Sequence, residues 1–498
     1  MTKMINPMIN PMINPINPIS SDQLKVDQTD YLRLAQCICK NNPIDAIIKQ
    51  TREPFQPSYS HMCREFDITS QNNSGRCWIF SACNFLRIVM SKARPDIPNT
   101  FELSQTYVFF YDKLEKANKF LHNVIDTAMQ PETDREVAFL LADPIPDGGQ
   151  WNMFCHIVDK YGIVTKQAYG DTFCSDNSGI MNSVLTQLLR QCAVDIRELT
   201  EDRVNDQEPR WLHHAHKLRE QCVQKVYETL VTCLGKPPSK FEFSYVVNPK
   251  ESKDKEPNAE RKLKAWSAGV QKASNHGSVT NAGSARFVHS NITPKEFLQS
   301  YVQHRSNEYM CLVNDPRNKM HEKYRVQFLG NVIEKKGVYI NIPIEKMFSY
   351  TMFALKNGIP VWFGADADKH INKMNGHFDE DQFEWGLVFN IANTQIRSKS
   401  KRLRYCDTQA NHAMLFTGID VKPDKSVSLL RIENSWGKEQ GQNGYYSCTK
   451  KWFLDNVFLV SVPTMFMQKL NDHELIQCYQ SQHCNVLNCW DPIGCLAD

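Results

Sequence analysis

No uninterrupted apolar run in this 498-residue chain approaches the ~18 to 20 residues that a membrane span needs; Val457-Phe-Leu-Val-Ser-Val soon meets Pro463. Charge of one sign is missing as well. The 58 basic and 55 acidic residues leave +3, which argues against a strongly cationic nucleic-acid protein on bulk charge. CxxC spacing is absent: the 17 cysteines are an odd number, and the closest pairs, Cys37 with Cys39 and Cys484 with Cys489, suit neither a metal knuckle nor a redox motif. That pattern points to a reducing, cytoplasmic compartment, with no metal and no cofactor expected. The N-terminus offers no signal peptide. Met4-Ile-Asn-Pro7 repeats through Pro18, and proline every few residues prevents the apolar helix that a signal peptide requires.

What remains is globular: 41% hydrophobic and 23% charged residues exclude a disordered or fibrous chain. Cys77-Trp-Ile-Phe-Ser-Ala-Cys-Asn-Phe-Leu-Arg-Ile-Val-Met90 is apolar nearly all round and reads as a central buried helix. Leu103–Tyr111 and Trp151–Val158 read as further helices, and residues 178–235 as a second helical block. The composition then shifts, and 250–290 reads as a charged, exposed insertion. Beyond Tyr309 the pattern becomes strand-like, most clearly at Pro360–Gly364, Ala413–Val421 and Leu429–Glu433. Helices first and strands later predict an α+β protein with an inserted helical module.

The chemistry concentrates in three segments. In Gln71-Asn-Asn-Ser-Gly-Arg-Cys77-Trp-Ile-Phe-Ser81 a cysteine opens a buried helix after a tight turn, where free N–H groups and the helix dipole favour a thiolate. Asn411-His412 heads an apolar strand, and Glu433-Asn434-Ser-Trp436-Gly437 ends the next one. Pairing of those strands brings Asn434 near His412, so a thiol, a base and an orienting amide become available together. Trp436 is placed to cover the His–Asn hydrogen bond.

In these segments the chain resembles the papain-like cysteine peptidases, specifically the bleomycin hydrolase branch. Asp147-Gly148-Gly149-Gln-Trp151, Cys311–Arg317, Val361–Gly364 and the terminal Trp490-Asp-Pro-Ile-Gly-Cys-Leu-Ala497-Asp498 are similar to that branch too. The resemblance implies Cys77 as nucleophile, Gln71 as oxyanion donor, His412 as base and Asn434 as its orienting partner. It further implies Gly148 and Gly149 as a substrate-pairing backbone, and a C-terminal arm whose Ala497 and Asp498 meet the ammonium group of an incoming peptide. The implied fold is two-lobed: a helical lobe and an antiparallel β-barrel-like lobe.

The domains then run as a tail over 1–23, a helical lobe over 24–166, a helical insertion over 167–247, a charged insertion over 248–290, a β-rich lobe over 291–480 and an arm over 481–498. Ordinary papain-type enzymes place the histidine ~130 to 150 residues after the nucleophile. Here the gap is 412 − 77 = 335 residues, and the two insertions account for much of the surplus. The resemblance implies that the helical insertion makes subunit contacts in a closed hexamer.

The expected activity is a cysteine aminopeptidase acting on peptides and bleomycin-type amides through a thioacyl-enzyme. Rival readings are a catalytically weak scaffold, a nucleic-acid-binding oligomer and an acyltransferase using the same dyad. The basic run Arg397-Ser-Lys-Ser-Lys-Arg-Leu-Arg404 leaves room for weak single-stranded nucleic-acid binding. His213, His214 and His216 lie at helical spacing but read as a solvated face rather than a metal site.

Overall fold

The computed structural model describes residues 56–200, 209–246, 277–279, 285–373, 375–383, 389, 396 and 398–497. The Asn-Pro tail, most of the charged insertion and Asp498 lie outside them. Everything below concerns the compact unit formed by residues 53–380 and 396–498.

A short strand β1 (His61–Met62) leads to α1 (Cys77–Ala93), which is buried along nearly its whole length. Then follow α2 (Gln105–Asp126), α3 (Arg135–Ala142) and α4 (Trp151–Tyr161). Ser104 and Asp134 cap α2 and α3 by accepting backbone N–H bonds. Gly162 ends α4 at φ +77°, and a Cβ there would lie 2.3 Å from the Pro294 carbonyl carbon, so only glycine fits. The helix expected over 103–111 in fact continues to Asp126. Its later turns carry Asp112, Lys113, Glu115 and Lys116, all buried, and these charges hide the apolar periodicity.

The inserted helices α5 (Gly179–Glu198) and α6 (Pro209–Leu234) pack onto α2; Phe110 meets Tyr227 edge-on at 5.8 Å. Leu185, Leu189, Val226 and Leu230 share one apolar core with α1 and α2. A Cys192–Cys222 disulfide links the two inserted helices. Next come β2 (Phe241–Val246), β3 (Gly277–Val279) and β4 (Ala285–Ile292), which form a small antiparallel sheet in the order β2-β4-β3.

The second lobe is built on β5 (Tyr309–Val313), β6 (Lys323–Val326), β7 (Tyr339–Asn341), α7 (Ile344–Lys356), β8 (Val361–Ala365), β9 (Ile371–Asn372) and β10 (His377–Phe378). It continues with α8 (Lys399–Arg404), β11 (His412–Val421), β12 (Val427–Glu433), β13 (Tyr445–Thr449), α9 (Lys450–Asn456), β14 (Val457–Pro463), α10 (His473–Gln480) and β15 (Asn485–Leu487). The sheet runs β15-β6-β7-β5-β14-β8-β11-β12-β13-β10-β9, with β1 also on β11. Most pairs are antiparallel, as expected of the lobe, but β5·β7, β6·β15 and β10·β13 are parallel.

Two cores flank the central strands. Trp362, Ala413, Leu415 and Leu459 face the helical core, whereas Phe363, Met414, Phe416 and Val460 face a second core with residues of α7 and α9. Phe363 and Phe416 stack at 3.7 Å across the second face. A strand buried on both faces reads as a continuous apolar run, which is why β8 and β11 stand out in the sequence. The Trp362 indole donates to the Trp78 carbonyl at 3.2 Å, tying the sheet to the first turn of α1.

Candidate active site

The turn before α1 is rigid. Ser74 donates to the Gln71 carbonyl at 2.6 Å, and the Gly75 N–H reaches the Asp147 carboxylate at 3.0 Å. A Cβ on Gly75 would sit 2.6 Å from that of Asp147, so the turn closes only with glycine. Arg76 is fully buried over the rings of Phe80 and Phe109, paired with Asp176 at 3.4 Å and Asp171 at 3.7 Å. These contacts present Cys77 at the first position of α1, where its Sγ accepts the Ala413 N–H at 3.5 Å. Burial pushes the thiol up to about 11, against the opposing pull of the backbone N–H groups of Ala413, Trp78 and Cys77 itself.

His412 opens β11. Extending the β11–β12 register past Leu415↔Glu433 sets Trp436 opposite His412 and Asn434 diagonally on the same face. The His412 Nε2 lies 2.8 Å from Asn434 Oδ1, which also accepts the Ser435 N–H at 2.8 Å. An atom that accepts a backbone N–H is the amide oxygen, so Nε2 must carry the ring proton and Nδ1 is left as the acceptor. Trp436 stacks on the imidazole at 4.8 Å. Burial pulls the imidazole down to about 4, with the Asn434 bond and Asp368 opposing that shift and Lys373 adding to it.

The chain segments bearing Gln71 and Asn434 are joined directly. The Gln71 N–H donates to the Ser435 carbonyl at 2.9 Å, and the Gly437 N–H to Thr69 at 3.4 Å. The Gln71 side chain accepts from Ser435 Oγ at 2.7 Å and donates to the Ser74 carbonyl at 2.7 Å. One N–H of that amide is left over from these bonds.

Opposite lies the loop of Gly148 and Gly149. A Cβ on Gly149 would fall 2.4 Å from the Trp78 ring, and the Trp78 indole donates to the Asp147 carbonyl at 2.9 Å. Lys116 donates to the carbonyls of Pro146 and Gly148, and Lys113 to that of Ile145. Lys113 also pairs with Asp147 at 2.7 Å. The Asp147 carboxylate is completed by Ser178 and Asn182 from the insertion. Burial raises the Asp147 carboxyl, but Lys113 and the bonds from Ser178 and Gly75 hold it well below the usual carboxylate range.

The C-terminal segment enters this cleft. The Gly149 N–H donates to the Leu496 carbonyl at 3.0 Å, and the Leu496 side chain lies against Gly364. The arm is coiled rather than extended: Gly494 N–H returns to the Asp491 carbonyl at 2.7 Å, and Cys495–Ala497 is a 3-10 turn. Its contact with the glycine loop is thus a single backbone bond instead of a strand ladder. Ala497 ends the turn, and Asp498 lies outside the described residues.

Sequence reasoning brought Cys77, His412, Asn434, Gln71, Trp436, Gly148 and Gly149 to one place. It missed Lys113, Lys116, Ser178, Asn182 and Gln150, whose types carry no signal without their partners. It also misplaced part of the basic run. Lys399 is turned inward, donating to the Val457 carbonyl at 2.6 Å, and Arg402 is buried on the Asp455 carbonyl at 2.6 Å. Among the described residues no three His, Cys, Asp or Glu side chains converge as metal ligands.

Comparison with known proteins places these features among relatives. The sequence model described as Peptidase C1-like family matches residues 21–286 and 284–494. The chain is 33% identical over 450 residues to an aminopeptidase C of Listeria innocua, covering 90% of each, and 32% identical over 440 residues to the bleomycin hydrolase of Homo sapiens, covering 86% of each. Among solved structures, PepW from Lactobacillus rhamnosis superposes with a TM-score of 0.79 at 30% identity, over 93% of this chain and 94% of that one.

Proposed function

The chain belongs to the Peptidase C1-like family as a cysteine aminopeptidase, and we propose that its reaction runs through Cys77, His412, Asn434 and Gln71. His412 Nδ1 takes the Sγ proton as the sulfur attacks the carbonyl of the substrate's first residue. Burial opposes either charge alone, but transfer creates both at once, and their attraction offsets the cost. The Cys77 N–H and the remaining Gln71 N–H hold the oxyanion; losing one such donor typically costs ~10²–10³ in rate. The imidazolium then protonates the leaving amine, the C–N bond breaks, and a thioacyl-enzyme remains. Water, deprotonated by His412, attacks it and frees the amino acid and the thiol. Asn434 and Trp436 keep the ring in this tautomer throughout.

The observation that carries the aminopeptidase reading is the bond from Gly149 to Leu496. The chain's own end occupies the backbone donor that an extended peptide would use, and we propose that the carboxylate of Asp498, outside the described residues, meets the free ammonium group of the substrate. Amides of the bleomycin kind fall within this class. Hydrolysis of aminoacyl fluorogenic amides by wild type and Cys77→Ala tests the proposal. Turnover is expected to vanish in the variant, and iodoacetamide to label Cys77 first; surviving turnover would refute it.

Assembly into a hexamer is part of the same proposal. Support comes from the resemblance and from Phe173, just before the inserted helices, and Ile180, Val184 and Val194 on α5, all apolar yet exposed. Light scattering should give six times the chain mass. Single-stranded nucleic-acid binding would rest on Lys401, Arg404 and the exposed Tyr405, too small a patch for more than weak, salt-sensitive affinity. A cytoplasmic location accords with 13 free thiols among the described cysteines.

A further inference from the structure

The arm is held at four points. The Trp490 ring lies under the Arg135 guanidinium at 3.7 Å, Asp491 pairs with Arg317 at 2.8 Å, and Gly149 holds Leu496. The fourth is Gln150, the residue next to Gly149. Its side chain is fully buried and donates to the Ile493 carbonyl at 2.7 Å and the Gly494 carbonyl at 3.4 Å.

Gln150 also occupies the N-cap of α4, where Ser, Thr, Asp or Asn would serve the helix; it makes no side-chain cap bond. Its Oε1 is buried without a hydrogen-bond partner. A methionine of similar volume would leave no such orphan acceptor, so packing does not explain the amide. What the amide does is read backbone. Adjacent donors, one on Gly149 and one on Gln150, grip carbonyls at residues 493, 494 and 496, irrespective of arm side chains.

We propose that Gln150 fixes the register of the C-terminal arm and is thereby a positioning residue that determines the specificity for free N-termini. The inference rests on the reading that the arm is the ruler. Sliding the arm by one residue moves each carbonyl by about 2 Å in a 3-10 turn and about 3.3 Å if extended, beyond reach of both donors. The end of the turn at Ala497 moves equally, and the arm no longer measures the distance from Sγ to a free N-terminus.

The test compares wild type, Gln150→Met, Gln150→Glu and a chain ending at Ile493, using an aminoacyl amide and its N-acetylated counterpart. In Gln150→Met the preference for the free amine, as a ratio of kcat/KM, should fall about three- to tenfold, what one lost buried hydrogen bond produces. The loss should sit in KM for the free amine. Carboxypeptidase should release Ala497 and Asp498 faster than from wild type. Gln150→Glu, which sets a carboxylate against two carbonyl oxygens, should show the same losses and is the readout if the methionine variant misfolds. An unchanged ratio in both variants, alongside a lowered ratio in the shortened chain, overturns the role of Gln150 and leaves the arm reading intact. An unchanged ratio in the shortened chain overturns both.

Discussion

Replacing Asp147 by asparagine tests how the glycine loop is held. Lys113 is completely buried and Asp147 only 12% exposed, so their 2.7 Å pair is shielded from water. The amide oxygen can still accept from Gly75 and Ser178, but its NH2 then faces the donors of Asn182 and Lys113, and the Lys113 ammonium loses its counter-charge while keeping the Ile145 carbonyl. Removing one member of a buried pair costs about 3–5 kcal/mol, and at the lower end the unfolding equilibrium shifts about a hundredfold. Lys113→Met should cost a similar amount by stranding the carboxylate. The double variant should recover about 2–3 kcal/mol relative to the sum, because neither charge is then left alone. Urea unfolding of the four proteins, followed by tryptophan fluorescence, measures the cycle. Because the Asp147 carboxyl is depressed, its contribution is full above the ordinary carboxylate range near pH ~4 and is lost only as pH falls further toward its folded value. The deficit of Asp147→Asn should therefore be undiminished at pH 5. Additive single losses, or a deficit already gone at pH 5, would refute the buried-pair account.

Two further outcomes follow from burial and from the inserted helices. His156, His304, His370 and His412 are each pulled down to about 4, chiefly by burial. Between their ordinary value near ~6.5 and 4 the unfolded chain binds more protons than the folded one, so stability should fall as pH drops through that window. Melting temperatures across a pH series check this, and a flat profile from pH 7 to 4.5 would contradict it. The Cys192–Cys222 bridge spans 30 residues, and closing a loop of that length is worth about 3–4 kcal/mol in the chain-entropy treatment. Cys192→Ser should accordingly lower the melting temperature under oxidising conditions, whereas excess reductant should erase the difference from wild type.

The legible parts of this protein were those whose physics is local. Helix α1 and strands β8, β11 and β12 announce themselves because they are buried on several sides, and Cys77, His412 and Asn434 fall at their ends. The far half of α2 did not, since Asp112, Lys113, Glu115 and Lys116 read as solvent-facing until their partners are seen: Asn331 on Asp112, Asp147 on Lys113, Tyr161 on Glu115. Lys399 and Arg402 mislead in the same manner, as cations turned toward carbonyls some fifty residues away. Gln150 is silent in the sequence because its role exists only once residue 493 has folded back onto it.

The join between Thr69–Gln71 and Ser435–Gly437 has a bearing on synthesis. A ribosome must complete nearly nine-tenths of the polypeptide before the sulfur meets its ring, and closing so long a span is the slow, late event that distant pairings impose. An interrupted translation product that stops short of β11 is consequently inert toward its neighbours, however well its helices have formed. On the proposed mechanism, proteolytic competence arrives only after Asn434, at the end of β12, has been made.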